Sequence, residues 1–410
     1  MSQKRRKVQI SFVSEEALPN AIAVHEDKPD TLLLVSSTKM AQGRRDLAQR
    51  DYFRDKGLDV HLFGQGARIT DFREAAECAR EVVNFLRDLK EVEAITLNLT
   101  GGPKTTTIVF LDSMNQFVQM CKYTSWLYVD TQEGVTWRAA NDQTYVDNPF
   151  TSFITVSDYL RLQGYESEAQ CDQAVFSAAM DRREITNSLA QSDRDRRGRD
   201  LIGELNHCYS RAEINGSFIR NPSHVIDLNR KQDIDLLKMI SDHGLLKVEF
   251  QGQPKKRFSI TFNDSDLARY LGGGWLEEYV WLETKAALER LRVDATVLKN
   301  VIVTPVGGGP DESNEIDLLV LFQNRMLVME CKASKKPGGN GGINVSKLVD
   351  LAKKVGGRLA TPWFVTAATD NSLPKERSRG VEYFESKDLP DLASRFIDWL
   401  GVTRGSRDSR

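Results

Sequence analysis

Short apolar runs alternate with amphipathic stretches in the first part of the chain, up to about residue 150. This alternation predicts an open α/β sheet of Rossmann type, with helices between its strands. The predicted strands are Val8–Phe12, Thr31–Ser36, Leu58–Phe63, Ala94–Leu99 and Tyr123–Val129. The predicted helices cover residues 41–56, 71–88 and 103–120.

A second α/β pattern lies near the C-terminal end. It predicts a helix over 275–292, a strand over 299–305, a β-hairpin, a helix over 344–356 and a strand over 362–367. The hairpin pairs residues 315–323 with 325–331, two apolar runs around a short polar segment. Both of its faces are otherwise apolar, which fits a central sheet that is covered on both sides.

Three charged residues interrupt this apolar hairpin. Glu330 and Lys332 share a face, because side chains alternate along a strand. A two-residue turn at Gln323–Asn324 places Asp317 directly across from Glu330, whereas a three-residue loop places it on the opposite face. Charges on buried strands are costly unless they bind something. Carboxylates suit Mg²⁺ or Mn²⁺, ions that activate water for attack on a phosphate, and Lys332 would assist that water.

The predicted helix over 275–292 adds a fourth charged residue. Its apolar face carries Val280, Trp281, Thr284, Leu288 and Leu291. Glu277 lies on this face, whereas Glu278 joins a charged stripe and is expected at the surface. A carboxylate on an apolar face needs a partner, and a metal site is a natural one.

A glycine-containing segment joins the fourth predicted strand to its helix, with the sequence Thr-Gly-Gly-Pro-Lys from Thr100. Glycines let backbone amides approach an anion, and a helix N-terminus favours negative charge. Pro103 suits the first helical position, and Lys104 and Thr105 would add contacts to a phosphate. In open α/β sheets such loops meet where the strands end, which predicts a ligand site there.

These motifs resemble those of CRISPR ancillary nucleases, in which an N-terminal CARF sensor domain is fused to a restriction-endonuclease-like, PD-(D/E)xK domain. The resemblance rests on W-L-E-E-Y-V from Trp275, N-E-I-D from Asn314, M-E-C-K from Met329, K-L-V-D-L-A-K-K-V-G-G from Lys347 and the T-G-G-P-K run. It implies that Glu277, Asp317, Glu330 and Lys332 carry catalysis, with the three acids binding Mn²⁺ or Mg²⁺.

The same resemblance implies that the sensor binds a cyclic oligoadenylate, the second messenger of type III CRISPR antiviral defence, at the two-fold axis of a homodimer. Cyclic tetra-adenylate is favoured among the ring sizes. The implied ligand-binding residues are Ser14, Pro19, Asn20, Ser36, Ser37, Thr38, Asn98, Thr100, Gly101, Gly102, Pro103, Lys104 and Thr105. Similar enzymes nick DNA or degrade single-stranded RNA or DNA, and the sequence leaves the substrate open.

Two positions depart from the family pattern. Asp317 follows Ile316 rather than a proline, and the literal Pro310–Asp311 pair makes Asp311 a rival for its role. Pro103 stands where the ligand loop usually carries threonine, and proline removes one amide donor.

The middle of the chain predicts a connector. A charged run at 182–199 is expected to be exposed, and a helix over 232–243 precedes a hairpin whose tip at 252–256 is basic. This order resembles a winged helix, which would either grip nucleic-acid phosphates or relay the sensor's motion. A ligand-responsive transcription regulator with a non-cutting C-terminal domain is therefore the alternative function. The glycine-rich segment 335–342 is either an ordinary tolerant loop or a segment that orders around substrate or metal when the sensor is liganded.

Composition sets the remaining expectations. The 410 residues predict domains at 1–150, 151–270 and 271–402, with a flexible tail at 403–410. The formal net charge of −2 argues against a constitutive nucleic-acid binder. The sequence shows no membrane-spanning run and no signal peptide, and its five cysteines lack C-x-x-C spacing. A cytoplasmic protein with no membrane partner is expected.

Overall fold

The computed structural model describes residues 5–131, 133–140, 145–149, 154–169, 173–192, 200–252, 256–333, 345–368 and 380–401. The sequence predictions for the glycine-rich segment 335–342 and for the tail 403–410 lie outside these residues. The charged run 182–199 and the hairpin tip 252–256 lie partly outside the described residues.

The N-terminal part of the chain forms a seven-stranded sheet in the order β3-β2-β1-β4-β5-β6-β7. Its elements are β1 Arg6–Phe12, α1 Leu18–Asp27, β2 Thr31–Val35, α2 Thr38–Gln42, α3 Arg45–Asp55, β3 Asp59–Phe63, α4 Phe72–Asp88, β4 Val92–Asn98, α5 Lys104–Val118, β5 Tyr123–Asp130, β6 Val135–Ala140 and β7 Tyr145–Pro149. Strands β1 to β5 pair in parallel, and β6 and β7 add an antiparallel edge. The predicted Rossmann-type fold is confirmed.

Three details of this sheet differ from the prediction. Helix α1 was not among the predicted helices, and its Pro19 lies in the first helical turn, where the missing amide costs no hydrogen bond. The predicted helix over 41–56 is two helices, because Arg44 adopts a left-handed conformation (φ 54°) between them. Strands β6 and β7 were not predicted.

The strand order places a crevice at the end of β1. Because β1 lies between β2 and β4, the chain leaves β1 toward one side of the sheet and later returns on the other. Loops after such a pair of strands diverge and leave room for a ligand. The loops after β1 and β4 are the ones for which ligand contacts are predicted.

The middle of the chain combines helices with a small antiparallel sheet in the order β11-β13-β12. Its elements are α6 Val156–Leu162, β8 Tyr165–Ala169, α7 Gln173–Asp181, α8 Arg183–Gln191, α9 Leu201–Arg211, β9 Ile214–Asn215, β10 Phe218–Ile219, β11 Ser223–Asp227, α10 Lys231–Asp242, β12 Leu246–Gly252, β13 Arg257–Phe262 and α11 Ser265–Arg269. The predicted helix and hairpin are present as α10, β12 and β13.

The C-terminal part forms a six-stranded sheet in the order β18-β17-β16-β15-β14-β8. Its elements are a π-turn Tyr270–Gly274, α12 Trp275–Leu291, β14 Thr296–Pro305, a 3-10 turn Pro310–Glu312, β15 Asn314–Phe322, β16 Arg325–Lys332, α13 Val345–Gly356, a 3-10 turn Gly357–Leu359, β17 Ala360–Thr366, β18 Glu382–Phe384, a 3-10 turn Ser386–Asp391 and α14 Leu392–Leu400. The order of elements predicted for this part is confirmed. Strand β8 from the middle of the chain completes the sheet by pairing antiparallel with β14.

Apolar side chains of the N-terminal and C-terminal parts pack into one shared core. Ile22 of α1 and Tyr52 of α3 are buried in the same cluster as Leu319 of β15 and Val328 of β16. The Tyr159 hydroxyl adds a buried hydrogen bond to the Gly356 carbonyl oxygen, at 2.9 Å. None of the helices in the described part of the chain is both long and apolar enough to cross a membrane.

Candidate active site and ligand cleft

The hairpin of β15 and β16 has the two-residue turn that aligns its acids. Leu318 pairs with Met329, and the register runs to Phe322 opposite Arg325. The turn residues Gln323 and Asn324 both have positive φ (47° and 62°), as in the type I′ turn that joins tight hairpins. Asp317 and Glu330 are the next residues along the same register, as predicted.

Three charged side chains converge at the end of this hairpin. The Lys332 Nζ lies 2.6 Å from the Glu330 Oε1 and 4.0 Å from the Asp317 Oδ2. Asp317 is buried, with 7% of its surface exposed, and its Oδ2 accepts a hydrogen bond from the Cys331 amide at 2.6 Å. Glu330 and Lys332 are half-buried. The arrangement fixes one carboxylate from behind and leaves two charged groups accessible.

Crowding of negative charge dominates the electrostatics of the hairpin. Burial raises the pKa of Asp317 to about 8, and the neighbouring carboxylates of Glu330 and Glu277 contribute to the rise. Burial alone would lower the pKa of Lys332, but Asp317 and Glu330 outweigh it, so this pKa lies well above its ordinary value. Lys332 therefore keeps its charge, while the site disfavours the ionised form of Asp317.

Helix α12 brings Glu277 to the same cluster. Glu277 lies in the first turn of α12 and is half-buried. Burial raises the pKa of its carboxyl, Lys299 and Lys332 lower it, and Glu315 and Glu330 raise it further. The structure thus brings together all four residues predicted for catalysis, and their catalytic roles stay predictions.

The prediction that Glu278 lies at the surface is wrong. Glu278 is 1% exposed and forms a two-pronged ion pair with Arg182, and it also accepts a hydrogen bond from the Thr186 hydroxyl at 2.9 Å. Arg182 stacks over the Tyr270 ring, so the start of the charged run is not simply exposed either. A helical wheel misassigns Glu278 because α12 is covered on two sides, by the sheet and by α8.

The glycine run before α12 sets where the helix begins. A Cβ on Gly272 would lie 2.2 Å from the Tyr209 Cγ of α9, and Gly273 adopts φ 144°, a conformation that disfavours other residues. A Cβ on Gly273 would lie 3.3 Å from that of Ala333, which directly follows Lys332. Only glycines allow the start of α12 to approach the end of β16 this closely.

The position of Asp311 weakens it as a rival of Asp317. Asp311 is exposed in the 3-10 turn Pro310–Glu312, whereas Asp317 is buried in β15 beside Glu330. Within the described residues, no three His, Cys, Asp or Glu side chains are arranged so that they could hold a metal ion as they stand. At the end of the β15–β16 hairpin, the ammonium of Lys332 bridges Glu330 and Asp317.

A cleft of about 540 Å³ lies at the ends of the sensor strands. It is lined by five residues predicted to bind the ligand, namely Ser14, Ser37, Thr38, Gly102 and Pro103. Helix α5 begins at Lys104, one residue later than predicted, so Pro103 occupies its N-cap position. The predicted loops therefore meet at one cleft.

The other predicted ligand residues lie behind or beside this cleft. Asn98 donates to the Asn20 Oδ1 at 2.9 Å, and Asn20 in turn donates to the Phe12 carbonyl oxygen at 2.9 Å. The Thr100 hydroxyl accepts from the Val129 amide at 2.7 Å. Pro19, Ser36 and Gly101 are also buried, whereas Lys104 and Thr105 lie on the first turn of α5 outside the cleft lining. Buried hydrogen bonds here hold the loops in shape, and ligand contact by these residues stays a prediction.

Several cleft residues were missed by the sequence analysis. Glu15, Glu16 and Lys39 come from the sensor loops, and Lys353 and Arg358 come from the end of α13. The first three lie next to predicted residues, so the loop pattern could have included them. Nothing in the sequence pattern places the end of α13 beside the sensor, because that contact depends on the packing of two distant sheets.

Comparison with known proteins assigns both halves of the chain. Residues 8–159 match the Card1 CARF domain model, and residues 264–403 match the Card1-like endonuclease domain model. No curated protein matches the chain in sequence.

Two solved structures share the fold over nearly their whole length. The protein VC1899 from Vibrio cholerae has a TM-score of 0.70 at 16% identity, covering 96% of this chain and 98% of its own. Can2 from Sulfobacillus thermosulfidooxidans, solved in complex with cyclic tetra-adenylate, has a TM-score of 0.65 at 17% identity, covering 97% and 98%. With both family models matched in order along one chain, the protein belongs to the family of Card1-like nucleases, in which a CARF domain precedes an endonuclease domain.

Proposed function

We propose that this protein is a nuclease of type III CRISPR defence, that a cyclic oligoadenylate activates it, and that it cleaves nucleic acid with a divalent metal ion. The observation that carries the proposal is the convergence of Asp317, Glu330 and Lys332 on one face of the hairpin, with Glu277 facing them from α12. This cluster lies within the segment that matches the endonuclease domain.

The residues of the cluster fit a hard divalent cation. Carboxylate oxygens are the ligands that Mg²⁺ and Mn²⁺ prefer. Burial and neighbouring carboxylates raise the pKa values of Asp317 and Glu277, and a cation among the acids would offset the repulsion between them. The bridging of two of these acids by the Lys332 ammonium shows that a positive charge is accommodated there. When bound, the metal would supply Lewis-acid polarisation of the phosphate and a more acidic water.

The protein residues orient the reacting groups. The Cys331 amide fixes Asp317 from behind, so this carboxylate keeps a defined position at the floor of the site. Lys332 keeps its positive charge and can hold an attacking water or stabilise charge on the phosphate. Nothing in this chemistry uses a 2′-hydroxyl, so DNA and single-stranded RNA both remain candidate substrates.

The sensor cleft suits a phosphate-rich activator. Ser14, Ser37 and Thr38 line it, and the backbone at Gly102 and Pro103 leads into the N-terminus of α5. Cyclic tetra-adenylate is the ring bound in the structurally similar Can2, and we propose it as the activator here.

A homodimer is part of the proposal. Helix α5 leaves an apolar stripe in solvent, with Ile108, Leu111 and Val118 exposed by 56%, 36% and 46%. These residues lie on one face of α5, and Phe72 at the start of α4 is 61% exposed. Pairing of two copies through such a stripe would bury it and would bring two clefts to one symmetric ring. We propose that the dimer acts in the cytoplasm.

Cleavage assays test the proposal directly. The substrates are single-stranded RNA, single-stranded DNA and supercoiled plasmid, each with Mn²⁺ and with or without cyclic tetra-adenylate. We expect ligand-dependent cutting of at least one substrate by the unmodified protein, and a loss of at least a hundredfold with Glu330→Gln. Asp311→Asn, which changes a nearby acid outside the cluster, should cut normally.

Two results would overturn the proposal. If Glu330→Gln cut as fast as the unmodified protein, the hairpin would have no role in the mechanism. Ligand-dependent binding of a specific DNA sequence, without cutting under any metal, would instead support the transcription regulator.

A further inference from the structure

The cleft of the sensor is lined by both domains. Lys353 lies in the last turn of α13, and Arg358 lies in the 3-10 turn that follows it, yet both line the cleft together with sensor residues. Both side chains are exposed, Arg358 by 86%. The nuclease domain therefore places two positively charged side chains, those of Lys353 and Arg358, beside the loops of the sensor.

The charge of Lys353 acts electrostatically on Glu15, another residue that lines the cleft. Lys39 lies 2.7 Å from the Glu15 Oε1 and is the main cause of the lowered pKa of Glu15, against a smaller effect of burial. Lys353 lowers this pKa further, as does Arg45. The charged residues that line the cleft are four cations, Lys39, Arg68, Lys353 and Arg358, and two acids, Glu15 and Glu16. The lining therefore carries a net positive charge to which both domains contribute, as suits a polyanionic ligand.

A close backbone contact holds the end of α13 in place. The Glu16 carboxylate accepts a hydrogen bond from the Arg358 amide at 2.8 Å, and the Arg358 Nε lies 4.0 Å from its Oε1. Gly357 has φ 61°, and a Cβ there would lie 2.1 Å from the Glu16 Oε2. The turn is therefore shaped for contact with the sensor, and the guanidinium of Arg358 remains available beside it.

Helix α13 links this contact to the active site. Leu351 and Val355 of α13 are buried in the same cluster as Met326 and Val328 of β16. Strand β16 also carries Glu330 and Lys332. A ligand that binds the end of α13 and shifts it would therefore move a helix that packs against β16, the strand with Glu330 and Lys332.

From this geometry we infer that Lys353 and Arg358 of the nuclease domain bind phosphate groups of the cyclic oligoadenylate, so that the ring is held by both domains at once. The inference rests on the proposed function and adds the contact through which the ligand reaches the nuclease. Guanidinium and ammonium groups form strong, charge-assisted hydrogen bonds with phosphodiester oxygens. Lys354 also lies in the last turn of α13, but it does not line the cleft, and it serves as a matched control.

Calorimetric titration of the full-length chain with cyclic tetra-adenylate tests the inference. Lys353→Gln and Arg358→Gln should each weaken binding about tenfold and reduce its dependence on salt, because each removes one phosphate contact. Lys354→Gln should bind like the unmodified protein. Glu16→Gln should bind more tightly, because it removes a negative charge from the cleft, and this opposite sign separates a charge effect from damage to the fold.

The outcomes distinguish the inference from the function on which it rests. Binding by Lys353→Gln and Arg358→Gln within twofold of the Lys354→Gln control would overturn the inference and leave the proposed function standing. Failure of the unmodified protein to bind any cyclic oligoadenylate would overturn both.

Discussion

Asp317 combines a buried position with a charge that the fold itself disfavours. It is held by the Cys331 amide at 2.6 Å, and its neighbours Glu330 and Glu277 are also acids. Like charges in a partly buried site raise the free energy of the folded state unless a cation accompanies them. Without a metal, the candidate active site is therefore a source of instability.

Replacement of Asp317 should reveal this instability as a function of pH. The pKa of Asp317 is about 8 in the folded protein against an ordinary value of 3.8, so the folded state loses stability as pH rises from about 4 to 8. Asp317→Asn cannot ionise, and its amide oxygen can still accept from the Cys331 amide. In a chelator at pH 8, we expect Asp317→Asn to melt a few degrees above the unmodified protein, about 1–2 kcal/mol, with a smaller difference at pH 5.

Thermal melts at the two pH values check this, with Asp311→Asn as the control. The exposed Asp311 should give no pH-dependent difference. A melting temperature of Asp317→Asn at or below that of the unmodified protein at pH 8 would contradict the prediction.

At the same scale, the sequence identified residues better than it identified their surroundings. Alternation along a strand was enough to place Glu330 and Lys332 on one face, whereas the alignment of Asp317 with them depended on the two-residue turn that the structure has. The burial of Glu278 could not be predicted, because its partner Arg182 lies on a distant segment and a helical wheel assumes one covered face.

At the scale of elements, the glycine run before α12 positions the first turn that carries Glu277. Gly272 lies against the Tyr209 ring of α9, so α9 from the middle of the chain supports the start of α12. The contact ties a helix of the connector to the geometry of the active site.

Gly272→Ala should therefore impair cleavage without affecting the sensor. Its Cβ would lie 2.2 Å from the Tyr209 Cγ, which forces the start of α12 to move. We expect ligand-activated cutting to fall at least tenfold, with the affinity for the ligand unchanged. Gly309→Ala is the matched control, since a Cβ at Gly309 meets nothing within 4 Å and its φ is −89°.

A second substitution sharpens this test. Tyr209→Gly in the Gly272→Ala background should restore part of the activity, because it removes both the clashing ring and the Tyr209 Cβ, which would lie 2.6 Å from the new Cβ. Normal cutting by Gly272→Ala alone, or no restoration by the double variant, would show that the contact does not position α12.

The sequence failed to predict helix α1 and strand β8, among others, each for its own physical reason. Helix α1 was missed because Pro19 signals a turn as readily as a first helical turn. Strand β8 was missed because it is short and is stabilised by pairing with β14, which follows it by more than a hundred residues. Local patterns report local structure, whereas edge strands are defined by partners elsewhere in the chain.

At the scale of the whole molecule, the sensor and the nuclease are joined by a continuous core. Buried residues of α1 and α3 pack in one cluster with β15, β16 and α13, and the buried Tyr159 hydroxyl bonds to the Gly356 carbonyl oxygen. Domains joined in this way are expected to unfold together, because each loses the shared cluster from its packing when the other unfolds.

Calorimetry can check this cooperativity. We expect a single heat-absorption peak for the full-length protein, and a shift of the whole peak upward by a few degrees at a hundredfold excess of cyclic tetra-adenylate over its Kd. Two separate peaks, of which only one moves with the ligand, would show that the shared core does not couple the two parts.

The pairing of β8 with β14 limits how this protein can be taken apart, in the laboratory or in evolution. A fragment of residues 264–403 contains the whole segment that matches the endonuclease family, yet it lacks Tyr165–Ala169 and would leave β14 as a bare edge, open to aggregation. Recombination that moved this segment onto another sensor would meet the same obstacle. We therefore expect the segment 264–403 to need the preceding chain, which supplies β8, in order to fold without exposing this edge.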